Sequence, residues 1–571
     1  PLGPGAPGAD VAPAGLTVAD GHAAAAAGAR RRALVAGSGR TRISYHLDLP
    51  AGAHLAVAHR AGTGGGAASV RVAGDGRTTR TVYRASLGAA WQEALVDLGL
   101  PAAGGPARLD LIAEGQDVAW GEPRVVVRRP PPAAAPSRPR FDHVFVWMVD
   151  TLRADKLRAY NPRSRVVTPR YDAFIADATR FSWATVPGTW SLPSHASLLT
   201  GVYPTVHHAT AHEARLSTRV PFLAEVMKKA GFRAGMFSSN GYISRKWGFD
   251  RGWDVNRNFI RESLPNGAEY LWKIARPWVA ANVGHRQLVY LATIEPHVAY
   301  VPRREFLARY WKKPYRGPIK PALSGVQLGL IKEGKLAIGA EDRAYLEALY
   351  DGEISQSDAA FGAFIADLKA LGIYDRSVVI VVSDHGDQFN EHGGLGHGDT
   401  VYQELTHVPL VIRAPGVLPP GHVVHADVEI MDVFATILDL AGVGAPPGTQ
   451  GDSLVPLARD EIGAAPRAAL TVDGQVVRGL KVGRHRLVHR GPDAAVELYD
   501  DEADPLEQRD VAAERPIAVR TLRGALGLVY AYETTWSKST WGTAANLREA
   551  FYTAAGPAGR RGPEPLSGGP K

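Results

Sequence analysis

The chain contains no cysteine. That excludes disulfides, thiolate metal sites and a cysteine nucleophile, and it leaves the redox compartment open. No apolar run approaches the roughly 18 residues that a membrane span needs. Charge is scarce as well: charged residues make up 21% of the chain and the net charge is only +8, with a pI near 9.4. Such a balance suits anionic substrates or surfaces and is too weak to argue for nucleic acid. An initiator methionine and a signal peptide are also missing. The chain opens Pro-Leu-Gly-Pro-Gly-Ala-Pro, which reads as a trimmed or mature N-terminus with export as the expectation.

The 571 residues, 45% of them hydrophobic, exceed one ordinary domain and predict a core of about 300 residues with accessory modules. Residues 1–14 are Gly/Pro/Ala-rich and read as flexible. Residues 15–127 carry short alternating runs such as Arg42–Leu49, His54–Ala58, Ser69–Val72, Arg108–Ile112 and Pro123–Val127, broken by Gly-rich turns. This pattern predicts a β-sandwich, whose Trp91 and Trp120 are core fillers or, alternatively, ligand-stacking rings. Residues 128–140 form a stiff Pro-rich linker that would hold the sandwich at arm's length.

From Phe141 the grammar becomes α/β, in a domain spanning 141–466. Continuous apolar runs at Val144–Val149, Ala234–Ser238, Leu288–Ile294, Val378–Val382 and Val408–Ile412 predict strands buried on both faces. Helices are expected near Pro169–Ile175 with Thr168 as N-cap, at Pro221–Ala230, over residues 341–371, and from Ile430 to Leu440. Residues 467–513 read as a small antiparallel subdomain. Residues 514–571 read as a helix to about 553, followed by a flexible tail.

Open α/β sheets place ligands beyond the carboxyl ends of their strands. Here those ends carry Asp150, Asn240, His297, and Asp384 with His385. Ser191 stands just before a short helix-like run with Pro193 in its first turn. A hydroxyl there faces the free N–H groups and positive end of a helix, a place suited to an oxyanion, sulfate or phosphate; serine is also an ordinary N-cap residue. Asp150, Asp384, His385 and Ser191 together make an oxygen-rich site for one divalent cation such as Ca²⁺, Mg²⁺ or Mn²⁺, and the imidazole also fits Zn²⁺. Each aspartate alone is equally read as a helix cap. His397, in the Gly-rich loop His392–Gly398, is placed to protonate a leaving oxygen; a surface loop with incidental histidines is the alternative. The basic, aromatic stretch Arg303–Lys320 follows His297 closely and would overhang the site as an anionic subsite, or be a solvated insertion.

Six motifs occur in order: Val149-Asp-Thr-Leu-Arg-Ala-Asp155, the stretch Ser191–Gly201, Ile294-Glu-Pro-His297, Ser383-Asp-His-Gly386, Gly396-His-Gly398 and Glu497-Leu-Tyr-Asp500. Together they resemble the sulfatase family of the alkaline phosphatase superfamily over residues 141–511. The resemblance implies a central, mostly parallel sheet flanked by helices. It implies a periplasmic or extracellular sulfuric ester hydrolase with a metal, calcium by family, on Asp150, Ser191, Asp384 and His385. It places Ser191 at the nucleophile position, His195 within the nucleophile motif, and His297 and His397 against the ester or leaving group. The substrate implied is an anionic ester, a sulfated glycan or lipid headgroup.

Three departures from the family pattern stand out. Serine replaces the usual cysteine that becomes formylglycine, with His195 where the motif has arginine. Ser238-Ser-Asn-Gly241 stands where many arylsulfatases place a Lys and His pair. Thr151 replaces the second of two consecutive carboxylates. Relatives with an unmodified hydroxyl nucleophile are phosphodiesterases and phosphoglycerol transferases, so phosphoester hydrolysis or transfer is the alternative. A non-catalytic glycan-binding protein is the third reading.

Overall fold

The computed structural model describes residues 16–21, 31–36, 38–102, 104–127, 141–461, 467–474, 477–491 and 495–537. The stretches 1–14 and 128–140, and the residues beyond 537 where the rest of a helix to about 553 and a tail were expected, lie outside these residues.

The N-terminal strands form two antiparallel sheets. One orders Leu16–Gly21, Arg31–Ala36, Val118–Val127, Ala53–Arg60 and Gln92–Asp97; the other orders Gly39–Leu49, Gly105–Gly115, Gly66–Ala73 and Arg80–Leu87. Alternate residues Leu55, Val57, Val70, Leu109 and Leu111 point inward around the fully buried Trp120, as period-two patterning requires. Trp91 is half-buried against Gly121, with the Arg60 guanidinium 5.3 Å from its ring.

The central sheet has eight strands, in the order Val255–Asn258, Arg233–Ser238, Gln287–Thr293, His143–Val149, Ser377–Ser383, His407–Arg413, Thr179–Thr185 and Val423–Glu429. The first five are parallel, and His407–Arg413 runs against both of its neighbours. In the central strand Val144, Val146 and Met148 pack with Leu198, Leu223 and Phe434 on one face. Phe145, Trp147 and Val149 pack with Trp272, Leu346 and Phe364 on the other. Two buried faces explain the unbroken apolar run. The long helix spans Ala340–Ala370.

The Pro169–Ala176 helix is capped differently from expectation. Thr168 makes no capping bond; Asp358 of the long helix accepts the N–H groups of Arg170 and Tyr171, at 2.9 and 2.7 Å. A full carboxylate serves two orphan amides better than one hydroxyl.

The C-terminal strands Ala468–Asp473, Val477–Val482, His485–His489 and Glu497–Asp500 form an antiparallel sheet packed on the Pro516–Ser537 helix through Leu480, Leu498 and Leu522. The sandwich is not held at arm's length. Asp75 accepts the N–H groups of Ile517 and Ala518, at 2.9 and 2.8 Å, so it caps that helix.

Candidate active site

Val149 and Ser383 end adjacent parallel strands in register. The next residues, Asp150 and Asp384, therefore leave the sheet side by side, and both are buried. Asp384 Oδ1 accepts the N–H groups of Thr151 and His385, at 3.1 and 3.0 Å. Asn240, beyond the Arg233–Ser238 strand, donates from Nδ2 to Asp150 Oδ2 at 2.6 Å and to Ser191 Oγ at 2.8 Å. Its two amide hydrogens thus tie the carboxylate to the hydroxyl. Ser191 is the first residue of its helix, and Trp190 occupies the cap without a side-chain bond. Ser191 is therefore not spent as an N-cap.

His385 Nδ1 lies 3.0 Å from the Gly386 carbonyl. A carbonyl only accepts, so Nδ1 carries the proton and Nε2 presents a lone pair. That Nε2 is 3.4 Å from Ser191 Oγ, 3.5 Å from Asp384 Oδ2 and 3.8 Å from Asp150 Oδ1. Asp150 Oδ1 is buried with no hydrogen-bond partner. Burial, and then the charge of Asp384, push the Asp150 carboxyl well above the ordinary range. Burial acts on Asp384 in the same sense but is outweighed by His385, His195 and the Thr151 N–H, which hold it below that range. One ligand atom from each of Asp150, Asp384 and His385 lies within 4.8 Å of the others. An orphaned carboxylate oxygen, a second carboxylate and an imidazole lone pair around one point fit a divalent cation.

His195 Nδ1 lies 2.7 Å from Tyr290 Oη and its Nε2 lies 3.2 Å from Asp384 Oδ2. It is buried behind that carboxylate and does not line the cleft. His297 and His397 do line it. Their rings are 5.0 Å apart, and the His397 ring is 4.4 Å from that of His385. Burial, and then His397, hold the His297 imidazole down at about 4. Asp387 Oδ1 lies 2.6 Å from His397 Nδ1, and Tyr300 donates its hydroxyl to Asp387 Oδ2 at 2.6 Å. Sequence reasoning named Asn240 only as a strand end and did not single out Asp387, Tyr300 or Tyr290. Asp387 had one available signal, its place directly after Ser383-Asp-His-Gly386. Thr151, in place of a carboxylate, is buried at φ +59°, a strained region for a β-branched residue.

The cleft holds about 1160 Å³, with Ser191, Asn240, His297 and His397 at its chemical end and Trp190, Tyr242, Lys246, Trp247 and Arg261 along its walls. The expected overhang by Arg303–Lys320 is absent from this lining. Lys313 pairs with Glu341 at 2.5 Å, Arg309 lies over Phe306 at 5.0 Å, and Trp311 packs on Tyr345 at 5.1 Å. The cationic wall comes instead from Lys246 and Arg261, 4.3 and 4.8 Å over the Trp247 ring.

A doubly flanked sheet with a buried Asp, Asp, His and hydroxyl cluster at its carboxyl edge is the architecture of the alkaline phosphatase-like hydrolases. Within them this chain belongs to the sulfatase family, the sulfuric ester hydrolases: the Sulfatase model matches residues 142–443, more than half of the chain. The model of the C-terminal region of N-sulphoglucosamine sulphohydrolase matches residues 391–521. A protein named sulfatase from Formosa agariphila is 24% identical over 402 residues, which cover 60% of this chain and 78% of that one. A solved structure in complex with its substrate D-glucosamine-2-N,6-O-disulfate has a TM-score of 0.57 at 17% identity, covering 70% of this chain and 99% of that one. A phosphonate monoester hydrolase of Agrobacterium radiobacter also has a TM-score of 0.57, at 21% identity, covering 68% of this chain and 96% of that one.

Proposed function

We propose that this protein is a metal-dependent sulfatase that hydrolyses a sulfate ester of a glycan or lipid headgroup, with the residue at 191 as nucleophile. One observation carries this reading: the partnerless oxygen of Asp150 and the lone pair of His385 face the Ser191 hydroxyl in a buried pocket at the end of the cleft. Asp150, Asp384 and His385, with Ser191 Oγ, would hold one divalent cation. When bound, that ion favours the deprotonated nucleophile and offsets the negative charge of the ester.

The chain's own groups do the rest. Asn240 holds the position-191 oxygen against Asp150 and so fixes its line of attack. The positive N-terminal end of the Ser191–Thr200 helix would face the equatorial oxygens of the ester. As the nucleophile–sulfur bond forms and the sulfur–alkoxide bond breaks, His397 gives a proton to the departing oxygen. Asp387 holds the ring in place and stabilises its protonated form. Tyr290 and His195 buttress Asp384 from behind.

A sulfated serine is slow to discharge, because water must then attack sulfur. A formylglycine hydrate releases sulfate by carbon–oxygen cleavage instead. Hydrolytic turnover of sulfate therefore goes with a modified Ser191. The serine itself, with His195 where the modification motif has arginine, favours a second reading: an unmodified alkoxide that attacks phosphorus and hydrolyses or transfers a phosphoester.

Matched aryl sulfate, aryl phosphate and bis-aryl phosphodiester separate the two, assayed with Ca²⁺ and with Mn²⁺ beside Ser191→Ala. Sulfate preference abolished by Ser191→Ala, together with a peptide at 191 two hydrogens lighter than serine by mass spectrometry, is the expected result. Preference for either phosphoester with an intact serine overturns the sulfatase reading.

A further inference from the structure

A second pocket lies where the sandwich meets the C-terminal subdomain, and it shares no residue with the catalytic cleft. It holds about 160 Å³. Its charged lining is Arg77, Arg80, Arg484 and Arg515 against a single carboxylate, Asp75. Both oxygens of Asp75 are taken by the amides of Ile517 and Ala518. Three of the guanidinium groups have protein partners of their own. Asp500 receives Arg484 through bonds of 2.8 and 2.6 Å and lies 3.8 Å from Arg515. Arg80 donates to the Gly99 carbonyl.

At the wall of this pocket lies His485, only 4% exposed, and neither ring nitrogen has a hydrogen-bond partner. A buried imidazole with two unmet polar atoms is costly unless something in the pocket meets them. Burial lowers the imidazole to about 4, with Arg484 and Arg515 lowering it further against Asp500 and Asp501. The ring is thus neutral beside Arg484 and Arg515, which lie against Asp500 and Glu502, with one N–H available to an acceptor.

We infer that this junction is a binding site for a tetrahedral oxyanion, a sulfate group either free or carried on a saccharide, held by Arg77, Arg484, Arg515 and His485. Guanidinium forks match the paired oxygens of such a group. The volume admits one sulfate and part of a sugar ring, not an oligosaccharide. The ligand would bridge the accessory sandwich to the catalytic unit, through Arg77 on one side and Arg484, His485 and Arg515 on the other. The site is independent of the reaction proposed for Ser191, so its test does not require turnover.

Hydrogen–deuterium exchange on the full-length, metal-loaded protein, titrated with sodium sulfate against sodium chloride at equal ionic strength, locates the ligand. Sulfate should slow exchange in the segments 99–107 and 484–487. Loss of one charge-assisted contact in Arg77→Gln should weaken that protection about tenfold, and His485→Phe, which keeps the volume, should weaken it as well. Turnover of a small aryl ester should be unchanged in Arg77→Gln. Because Arg77 is exposed, that variant tests the site even if His485→Phe does not fold. Repeating the titration with an O-sulfated disaccharide assigns the source: tighter binding than sulfate means a sugar-borne group, equal or weaker binding means the free ion. No protection in these segments, or the same affinity in Arg77→Gln as in the wild type, overturns the proposal.

Discussion

Asp387→Asn is the substitution that most directly tests how the cleft releases its leaving group. Asp387 is fully buried and meets His397 Nδ1 at 2.6 Å through one oxygen and the Tyr300 hydroxyl at 2.6 Å through the other. Asparagine keeps the shape and can keep the Tyr300 bond through its own oxygen, but it removes the charge that favours a protonated ring. A hydrogen bond to a charged group is worth about 1.5–3 kcal/mol. At about 1.4 kcal/mol per decade, kcat should fall about ten- to hundredfold. The fall should depend on the leaving group. An alkyl or unactivated phenyl ester needs the proton and should show the whole loss. A nitro-activated phenol departs as its anion and should show little. The assay is kcat on both esters, with the melting temperature checked to exclude a folding defect. An equal loss on the two esters would refute the assignment of His397 as proton donor and leave Asp387 a packing role only.

Asn240→Ala removes the donors that tie Asp150 to Ser191; divalent-metal affinity, read by calorimetry, should weaken about ten- to hundredfold, as for other residues that orient ligands. Gly386→Ala should cost most of the activity and lower the melting temperature, because a Cβ there would lie 2.0 Å from the Glu404 carbonyl oxygen and would displace the loop carrying Asp387. His392 lies 2.8 Å from both Glu404 Oε1 and the Glu507 carbonyl; burial opposes its charge, but Glu404 outweighs it and raises the imidazole to about 9 from 6.5. A raised value favours the folded state fully below about pH 6.5 and ceases to do so as pH rises through about 9. Over that window the wild type should lose on the order of 3 kcal/mol of this contribution, while a His392→Gln protein should show a flatter pH dependence of chemical denaturation.

How much of this was legible depended on distance along the chain. Val144–Val149 and Val378–Val382 announced themselves as strands, since a strand buried on both faces has no polar alternation to obscure it. The prediction that Asp150 and Asp384 would meet needed only that both strands be parallel and end together. The cap of the Pro169–Ala176 helix was not legible, because Asp358 comes from a helix 188 residues away. The reversal of His407–Arg413 also left no trace in its apolar pattern. Arg303–Lys320 suggested a subsite because it follows His297 in sequence. In space its aromatic residues turn toward the long helix, and Lys246 and Arg261 take the wall. The strand Val423–Glu429 and the helix Ala268–Ala281 were not read from the sequence at all.

The sequence by itself therefore determined the fold class and the order of chemical groups at the strand ends, because burial pattern and residue chemistry are local properties. Tertiary structure alone decided which groups act together. Asn240 joins Asp150 to Ser191, Asp387 stands behind His397, and His195 with Tyr290 faces Asp384 rather than the cleft. Only the docking of the sandwich on the C-terminal subdomain brings Arg77 and Arg80 to the pocket lined by Arg484, His485 and Arg515. Hydrogen bonds and charge act over a few ångströms of space, and those neighbours lie tens to hundreds of residues apart on the chain.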